Sequence, residues 1–272
     1  MGNSENEKLV PDFLIIGAMK AGTTSLYRDL AAHPKLFLPE EKEPECLVSS
    51  GDDVVAIETD YKSLFRGAKP FQLKGEASTA YTKRPVFEGV AQRAHRICGS
   101  SLKLIYITRD PIRRIISQYD HERAYGLVKE PLNDAVLLHS RFVDFSRYEW
   151  QLQSWLDIFG EGNVFRLSFE HYTADRTGTA ARVCEFLGID PAELPPTRDD
   201  LAFNASKNRP TAATGLFKML IASRLYQRHL KPRIPWELRG RVAEMVLPKT
   251  NSTVEVLRPE VEAQLRTRLG MR

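Results

Sequence analysis

FLIIGAMKAGTTS, residues 13–25, is the stretch of sequence that decides the fold of this chain. Its four leading apolar residues predict a buried strand, and its last residues open a helix. Gly17 and Gly22 keep the spacing of a Walker A loop, G-x-x-x-x-G-K-[ST], in which backbone N–H groups cradle phosphates. Thr23 stands where that pattern has its lysine, and Lys20 lies inside the loop instead. The stretch therefore predicts an anion site at a helix N-terminus and argues against ordinary ATP chemistry.

A second junction of strand and helix follows later in the chain. LKLIYIT, residues 102–108, predicts another buried strand, and the proline of RDP, residues 109–111, suits the first turn of a helix. Arg109 is thus expected at the carboxyl end of a strand, with Ser117 about two turns into the helix. Ligands of open α/β sheets bind at such strand ends, and a guanidinium grips phosphate in a bidentate manner. These two residues predict a second anion site.

Together the two junctions resemble the sulfotransferases that use 3′-phosphoadenosine 5′-phosphosulfate (PAPS), both the bacterial ones and the heparan sulfate O- and N-sulfotransferases. Residues 20–25 are similar to the family's 5′-phosphosulfate loop, and Arg109 and Ser117 match its 3′-phosphate pattern, R-D-P-x-x-R-x-x-S. The resemblance implies PAPS as donor cosubstrate, adenosine 3′,5′-bisphosphate as product and no metal. It implies donor contacts from Lys20, Ala21, Gly22, Thr23, Thr24, Ser25, Arg109 and Ser117.

Lys20 is the expected electrostatic catalyst. A sulfuryl group carries less charge than a γ-phosphoryl group, so the Mg²⁺ that neutralises kinase transition states is not expected. Lys20 would contact the bridging oxygen of the donor as negative charge develops on the leaving phosphate, an interaction that matters most in the transition state.

The acceptor needs a base, and the resemblance implies Glu43. Lys42-Glu43 matches the K-E of the family's K-E-x-x-[FY] segment, whose Glu is the general base, although Cys46-Leu47 stands where an aromatic pair is usual. Glu41 and Glu45 remain open as alternatives. Partial burial is expected to raise the pKa of such a base.

His121 is the other candidate for acid/base chemistry. It lies four residues after Ser117, and residues at this spacing share a helix face. The surrounding stretch is similar to the S-x-Y-x-H of the heparan sulfate N-sulfotransferases. His121 is therefore expected as a substrate contact or an auxiliary acid or base.

Two further segments resemble the family. GEASTAY, residues 75–81, is similar to the bacterial G-E-x-[ST]-P-x-Y pattern of the acceptor cleft, with Thr79 in place of proline. This implies substrate binding by Glu76, Ser78 and Tyr81. NASKNRP, residues 204–210, is similar to a late loop that closes over the donor, which implies cofactor-binding roles for Lys207 and Arg209.

The predicted fold is α/β, a single domain with a central parallel sheet flanked by helices and a P-loop kinase-like phosphate-binding loop. Strands that alternate with helices favour parallel pairing with right-handed crossovers. We expect a flexible N-terminus over 1–10 and a sulfotransferase domain over 11–272. The chain of 272 residues has three scattered cysteines and no apolar run of about 18 residues. This pattern favours reduced thiols and a cytoplasmic, bacterial protein.

The late region of about 203–240 is basic and is predicted to be helical. It holds eight Lys and Arg residues against one acid, Glu237, and its apolar stretch includes Leu216, Phe217 and Leu220. One interpretation is a helix that packs on the core with snorkelling basic side chains. The other is an interfacial helix that docks on an anionic membrane or a lipid-like acceptor.

The predicted function is transfer of a sulfuryl group from PAPS to an acceptor hydroxyl on a carbohydrate or a glycosylated metabolite. One alternative is a Mg-dependent, kinase-like nucleotide phosphotransferase, against which Thr23 counts. The other is a non-catalytic nucleotide-binding module. A small-molecule or carbohydrate acceptor is the expected partner, and no nucleic acid is expected.

Overall fold

The computed structural model describes residues 9–195 and 255–271. They group into two compact units, one formed by 9–110 and 147–195 and the other by 111–146 and 255–271. The predicted late basic region of 203–240, with Lys207 and Arg209, lies outside the described residues. The extent of the sulfotransferase domain stays a prediction.

A parallel sheet of five strands forms the centre of the first unit, in the order β2-β3-β1-β4-β5. Its strands are β1 (Phe13–Gly17), β2 (Leu36–Phe37), β3 (Leu73–Ala77), β4 (Lys103–Thr108) and β5 (Val164–Ser168). Phe13 of β1 pairs with Gly75 of β3 on one side and with Lys103 of β4 on the other. The carboxyl end of β1 therefore lies between the carboxyl ends of β3 and β4, which confirms the predicted α/β fold and brings three loops to one edge.

Helices accompany the sheet in the same unit. They are α1 (Thr23–Ala31), α2 (Cys46–Ser49), α3 (Val54–Leu64), α4 (Val90–Cys98), α8 (Tyr148–Phe159), α9 (Phe169–Ala174) and α10 (Arg176–Leu187). The first of them, α1, buries Leu26 and Leu30 completely, while Arg28 lies between these positions. This spacing is the amphipathic pattern of a helix that covers a sheet.

The second unit consists of helices in its described part. They are α5 (Pro111–Ala124), α6 (Leu132–Leu138), α7 (Arg141–Asp144) and α11 (Pro259–Arg268). Their apolar core includes Ile115, Val136, Phe142 and Leu265. None of the helices in the described ranges is both long enough and apolar enough to span a membrane.

One predicted boundary differs from the structure. The sequence pattern predicts a strand over 163–170, but β5 ends at Ser168 and α9 begins at Phe169. The Ser168 hydroxyl accepts a hydrogen bond from the backbone N–H of His171 at 3.2 Å. Ser168 thus acts as an N-cap, which ends the strand two residues early.

Candidate active site

The loop between β1 and α1 depends on its two glycines. Gly17 and Gly22 have φ angles of 154° and 99°. A Cβ atom on Gly17 would lie 2.1 Å from Thr82 Oγ1, and one on Gly22 would lie 2.6 Å from Cδ2 of Phe169. Gly22 immediately precedes α1, whose N-terminal amides and dipole attract anions. The glycines therefore shape the loop as the sequence predicts for a phosphate site.

Arg109 lies against this loop. Its Nη1 atom donates a hydrogen bond to the Lys20 carbonyl oxygen at 3.3 Å, and its guanidinium lies 4.7 Å from the centre of the Phe169 ring. The Tyr148 hydroxyl donates to the Arg109 carbonyl oxygen at 2.7 Å. The ends of β1 and β4 thus bring together the two residues that the sequence predicts for the 5′ and 3′ sides of a nucleotide. Phe169 was not singled out from the sequence, because an aromatic residue after a strand carries no signal of its own.

Glu43 is held in place through both oxygens of its carboxylate. Its Oε2 accepts hydrogen bonds from Thr79 N at 2.7 Å and from Thr79 Oγ1 at 3.1 Å. Its Oε1 pairs with Lys42 Nζ at 2.5 Å, and this ammonium also donates to Thr23 Oγ1 at 3.4 Å. The Glu43 side chain is 32% exposed, so an acceptor can reach it. The predicted base and the predicted donor loop are therefore linked through one lysine.

Thr79 and Lys42 are site residues whose roles the sequence did not reveal. The resemblance treats Thr79 only as a departure from proline, yet its N–H and hydroxyl both bind Glu43. A proline at this position would have no N–H to donate. The signal that could have found Thr79 is the replacement of the family's proline, which has no hydrogen-bond donor, by threonine, which has two.

The backbone is strained at two of the predicted catalytic residues, Lys20 and Glu43. In the described ranges, the non-glycine residues with positive φ are Lys20 at 68°, Glu43 at 60° and Glu45 at 55°. A left-handed conformation costs such residues of order 1 kcal/mol, and it persists where surrounding contacts fix it. At Glu43 those contacts include the bond from its N–H to the Ala77 carbonyl oxygen at 3.0 Å. Strained residues of this kind cluster at functional sites.

Glu41 and Glu45 differ in their surroundings. Glu41 is exposed, whereas Glu45 is half-buried. Burial raises the pKa of Glu45, the nearby charge of Glu43 adds to that shift, and Lys83 opposes it. Glu45 thus has the raised pKa that is expected of a base, and the choice among Glu41, Glu43, Glu45 and His121 stays a prediction.

Glu76, Ser78 and Tyr81 are buried, with at most 1% of each residue exposed. Burial raises the pKa of the Glu76 carboxyl to about 7, although the hydrogen bonds from Tyr81 and Ser78 lower it. These hydroxyls in turn accept bonds from the backbone N–H groups of Leu47 and Glu45. The three residues lie next to the Glu43 segment, and direct contact with an acceptor stays a prediction.

Ser117 and His121 lie on α5 in the second unit, and both are half-buried. The His121 ring lies 4.8 Å from the Tyr125 ring. The spacing of Ser117 and His121 on one helix is as predicted, while their roles stay predictions. Within residues 9–195 and 255–271, no group of three His, Cys, Asp or Glu residues is placed to hold a metal ion.

Comparisons with known proteins show the family of this chain. The family described as "Sulfotransferase domain" matches residues 10–224. The mouse protein heparan sulfate glucosamine 3-O-sulfotransferase 6 is 29% identical over 214 residues, 74% of this chain and 58% of that protein. Mouse heparan sulfate glucosamine 3-O-sulfotransferase 3A1 is 28% identical over 200 residues, 68% of this chain and 47% of that protein. The chain thus spans about half the length of these curated relatives.

A solved structure is similar as well. The sulfotransferase from Alicyclobacillus acidocaldarius has a TM-score of 0.61 and 26% identity, covering 72% of this chain and 87% of that one. The α/β fold agrees with the family match, which spans most of the chain. The chain belongs to the sulfotransferase domain family.

Proposed function

We propose that this protein transfers a sulfuryl group from PAPS to an acceptor hydroxyl and releases adenosine 3′,5′-bisphosphate. The observation that carries the proposal is the link from Glu43 through Lys42 to Thr23, at 2.5 and 3.4 Å. It joins a carboxylate suited to remove a proton to a loop suited to hold an anion. Group transfer needs these two functions next to each other, because well-oriented reactants lower the barrier by about 7 kcal/mol or more.

The donor would be held by the loop residues 20–25 on its 5′ side. The support is the position of Gly22 at the start of α1, where backbone amides and the helix dipole favour an anion. Arg109 would hold the 3′-phosphate together with Ser117, as the family pattern implies. Lys207 and Arg209 would add contacts from the part of the chain outside the described residues.

The chemistry divides between Glu43 and Lys20. Glu43 would accept the proton of the acceptor hydroxyl while the hydroxyl oxygen forms its bond to sulfur and the bond from sulfur to the bridging oxygen breaks. Lys20 would stabilise the negative charge that the departing phosphate gains. Since the sulfuryl group passes directly between two oxygens, positioning and charge stabilisation provide the catalysis.

Lys42 would connect the two halves of the reaction. Its side chain is 19% exposed, and its ammonium lies between the Glu43 carboxylate and the Thr23 hydroxyl. When Glu43 takes up a proton, the ion pair loses its Coulomb attraction. The charge of Lys42 is then available to the donor loop at the moment when the leaving phosphate becomes more negative.

A carbohydrate or a glycosylated metabolite is the proposed acceptor. The support is the similarity to proteins named heparan sulfate glucosamine 3-O-sulfotransferases. We also propose a cytoplasmic, bacterial protein. The free thiols of Cys46, Cys98 and Cys184 support the cytoplasm, and the similarity to the sulfotransferase from Alicyclobacillus acidocaldarius supports the bacterial origin. Contact of the late basic region with a membrane or a lipid-like acceptor is also proposed, from the sequence alone.

The test incubates the purified chain with PAPS and a panel of glycans and glycosylated metabolites, and follows the mass gain of one SO₃ group. Transfer that depends on Glu43 and continues in EDTA is the expected result. Transfer of a phosphoryl group from ATP that stops in EDTA would support the kinase-like alternative. Binding of adenosine 3′,5′-bisphosphate without transfer to any acceptor would support a non-catalytic module.

A further inference from the structure

Glu76 has a buried carboxyl group whose two oxygens are both hydrogen-bonded. It lies near the carboxyl end of β3 with none of its surface exposed. Its Oε1 accepts hydrogen bonds from the hydroxyls of Tyr81 at 2.5 Å and Tyr61 at 3.2 Å, and its Oε2 accepts one from Ser78 at 2.9 Å. Burial of a carboxylate is costly without such bonds, which indicates that this group serves a purpose that an apolar residue would not.

Two of the three hydroxyls continue to the segment that carries Glu43. The Ser78 oxygen accepts a bond from the Glu45 N–H at 3.0 Å, and the Tyr81 oxygen accepts one from the Leu47 N–H at 3.3 Å. A hydroxyl has a single hydrogen to donate. Because that hydrogen goes to Glu76, the lone pairs of each oxygen are left to face the backbone N–H groups.

We propose that Glu76 is a positioning residue for sulfuryl transfer, acting through Ser78 and Tyr81 on the backbone of residues 45–47. This role rests on the proposed function of Glu43 as the base. The two chains of hydrogen bonds hold the backbone directly after the left-handed turn at Glu43. A carboxylate is suited to this task because it only accepts hydrogen bonds and therefore orients both hydroxyls at once.

The first test compares two tyrosines whose hydroxyls both bind Glu76 and lie 3.4 Å from each other. Tyr61 and Tyr81 are both buried and both donate to Glu76 Oε1, but the contact with the Leu47 N–H belongs to Tyr81. We expect Tyr81→Phe to lower kcat about tenfold or more, since small displacements of catalytic groups have effects of this size. We expect Tyr61→Phe to change kcat less than about twofold, and both variants to keep the affinity for adenosine 3′,5′-bisphosphate.

Ser78→Ala and Glu76→Gln extend the comparison. Ser78→Ala breaks the second chain while removing one hydroxyl, so it also serves if Tyr81→Phe fails to fold. The amide of Glu76→Gln presents a donor to one of the two hydroxyls and forces it to turn. We expect both variants to lower kcat while the stoichiometry of bisphosphate binding stays at the value of the unmodified protein, which a mere loss of folded protein would reduce.

Amide hydrogen exchange provides a readout that does not depend on activity. Tyr81→Phe is expected to speed exchange at Leu47 and Ser78→Ala at Glu45, while Tyr61→Phe affects neither. Equal losses of kcat in the two tyrosine variants would overturn the positioning role, as would full activity in Tyr81→Phe. If the unmodified protein transfers no sulfuryl group, the proposed function and this role both fail. The exchange pattern would then show whether the hydrogen-bond chains themselves exist.

Discussion

Thr79 donates two hydrogen bonds to the same oxygen of Glu43, from its backbone N at 2.7 Å and from its hydroxyl at 3.1 Å. Both donors lie at the start of the 3₁₀ turn Thr79–Thr82, directly after the end of β3. The other oxygen, Oε1, faces Lys42. Thr79 therefore fixes one oxygen of the proposed base, Glu43, and Lys42 fixes the other.

Glu43→Gln is expected to abolish transfer and to leave bisphosphate binding intact, because the base contacts the acceptor and not the donor. Single-turnover kinetics and calorimetry measure the two effects. The matched control is Glu40→Gln, a change of the same kind at an exposed position three residues away. Full activity in Glu43→Gln would move the base to Glu41, Glu45 or His121, whichever variant, Glu41→Gln, Glu45→Gln or His121→Ala, proves inactive.

Lys20→Ala is expected to lower kcat by about 10²-fold or more and to weaken donor binding much less, as for loss of a group that stabilises developing negative charge. Steady-state kinetics with varied PAPS separates the two. Lys62→Ala, at an exposed lysine on α3, is the control for loss of a positive charge. If Lys20→Ala raises the KM for PAPS and leaves kcat unchanged, Lys20 only binds the donor.

Adenosine 3′,5′-bisphosphate is expected to raise the melting temperature more than 5′-AMP does, because 5′-AMP has no 3′-phosphate for Arg109 to bind. A ligand that binds only the folded state stabilises it by about 2.7 kcal/mol at 100 times its Kd. Arg109→Ala should erase the difference between the nucleotides. Arg113→Ala, which removes an exposed arginine four residues away, should preserve it. Equal stabilisation of the unmodified protein by both nucleotides would refute a 3′-phosphate site.

The buried carboxyl of Glu76 predicts opposite effects of pH on stability and on transfer. The titratable groups that face it are Tyr27, Glu43, Cys46, Tyr61 and Tyr81. Burial raises the pKa of Glu76 from 4.5 to about 7. Between these values the folded state holds a proton that the unfolded state has lost. Its contribution to stability is complete below pH 4.5 and is lost as the pH rises through about 7.

Denaturant unfolding at several pH values measures this contribution, which amounts to about 3 kcal/mol at most. Glu76→Gln should flatten the decline, leaving the smaller slope of the same sign from Glu45, whose pKa is also raised. Glu185→Gln, at an exposed position, should leave the decline unchanged. Transfer should increase over the same interval, because the ionised carboxyl orients Ser78 and Tyr81. A parallel rise of stability and transfer would contradict this account.

The late basic region predicts binding to anionic vesicles that weakens sharply with salt, since surface charges are screened within about 10 Å at 0.1 M. Phe217→Ser with Leu220→Ser should release the protein from the vesicles in sedimentation assays. Phe71→Ser is the control, because Phe71 is an exposed aromatic residue of the first unit. If the double variant instead loses several kcal/mol of stability, the two side chains are core and the membrane proposal fails.

Local patterns in the sequence predicted the parts of the fold that depend on neighbours along the chain. The strand and helix around Gly17 and Gly22 are examples, because burial periodicity and glycine spacing are local properties. The contact of Arg109 with Lys20 and that of Glu43 with Thr79 depend instead on the register that places β1 between β3 and β4. No local pattern determines that strand order. A glycine in the sequence indicates a possible left-handed φ angle, whereas a lysine or a glutamate does not.

The Phe169 ring has a consequence for any change of donor. It fills the space that a side chain at position 22 would need, and it lies under the Arg109 guanidinium. A larger residue in place of Gly22 would push the ring away and remove the surface on which Arg109 rests. The two ends of the proposed nucleotide site thus share the Phe169 ring. A redesign toward a different nucleotide would have to consider Gly22, Arg109 and Phe169 together, since the Phe169 ring contacts both other positions.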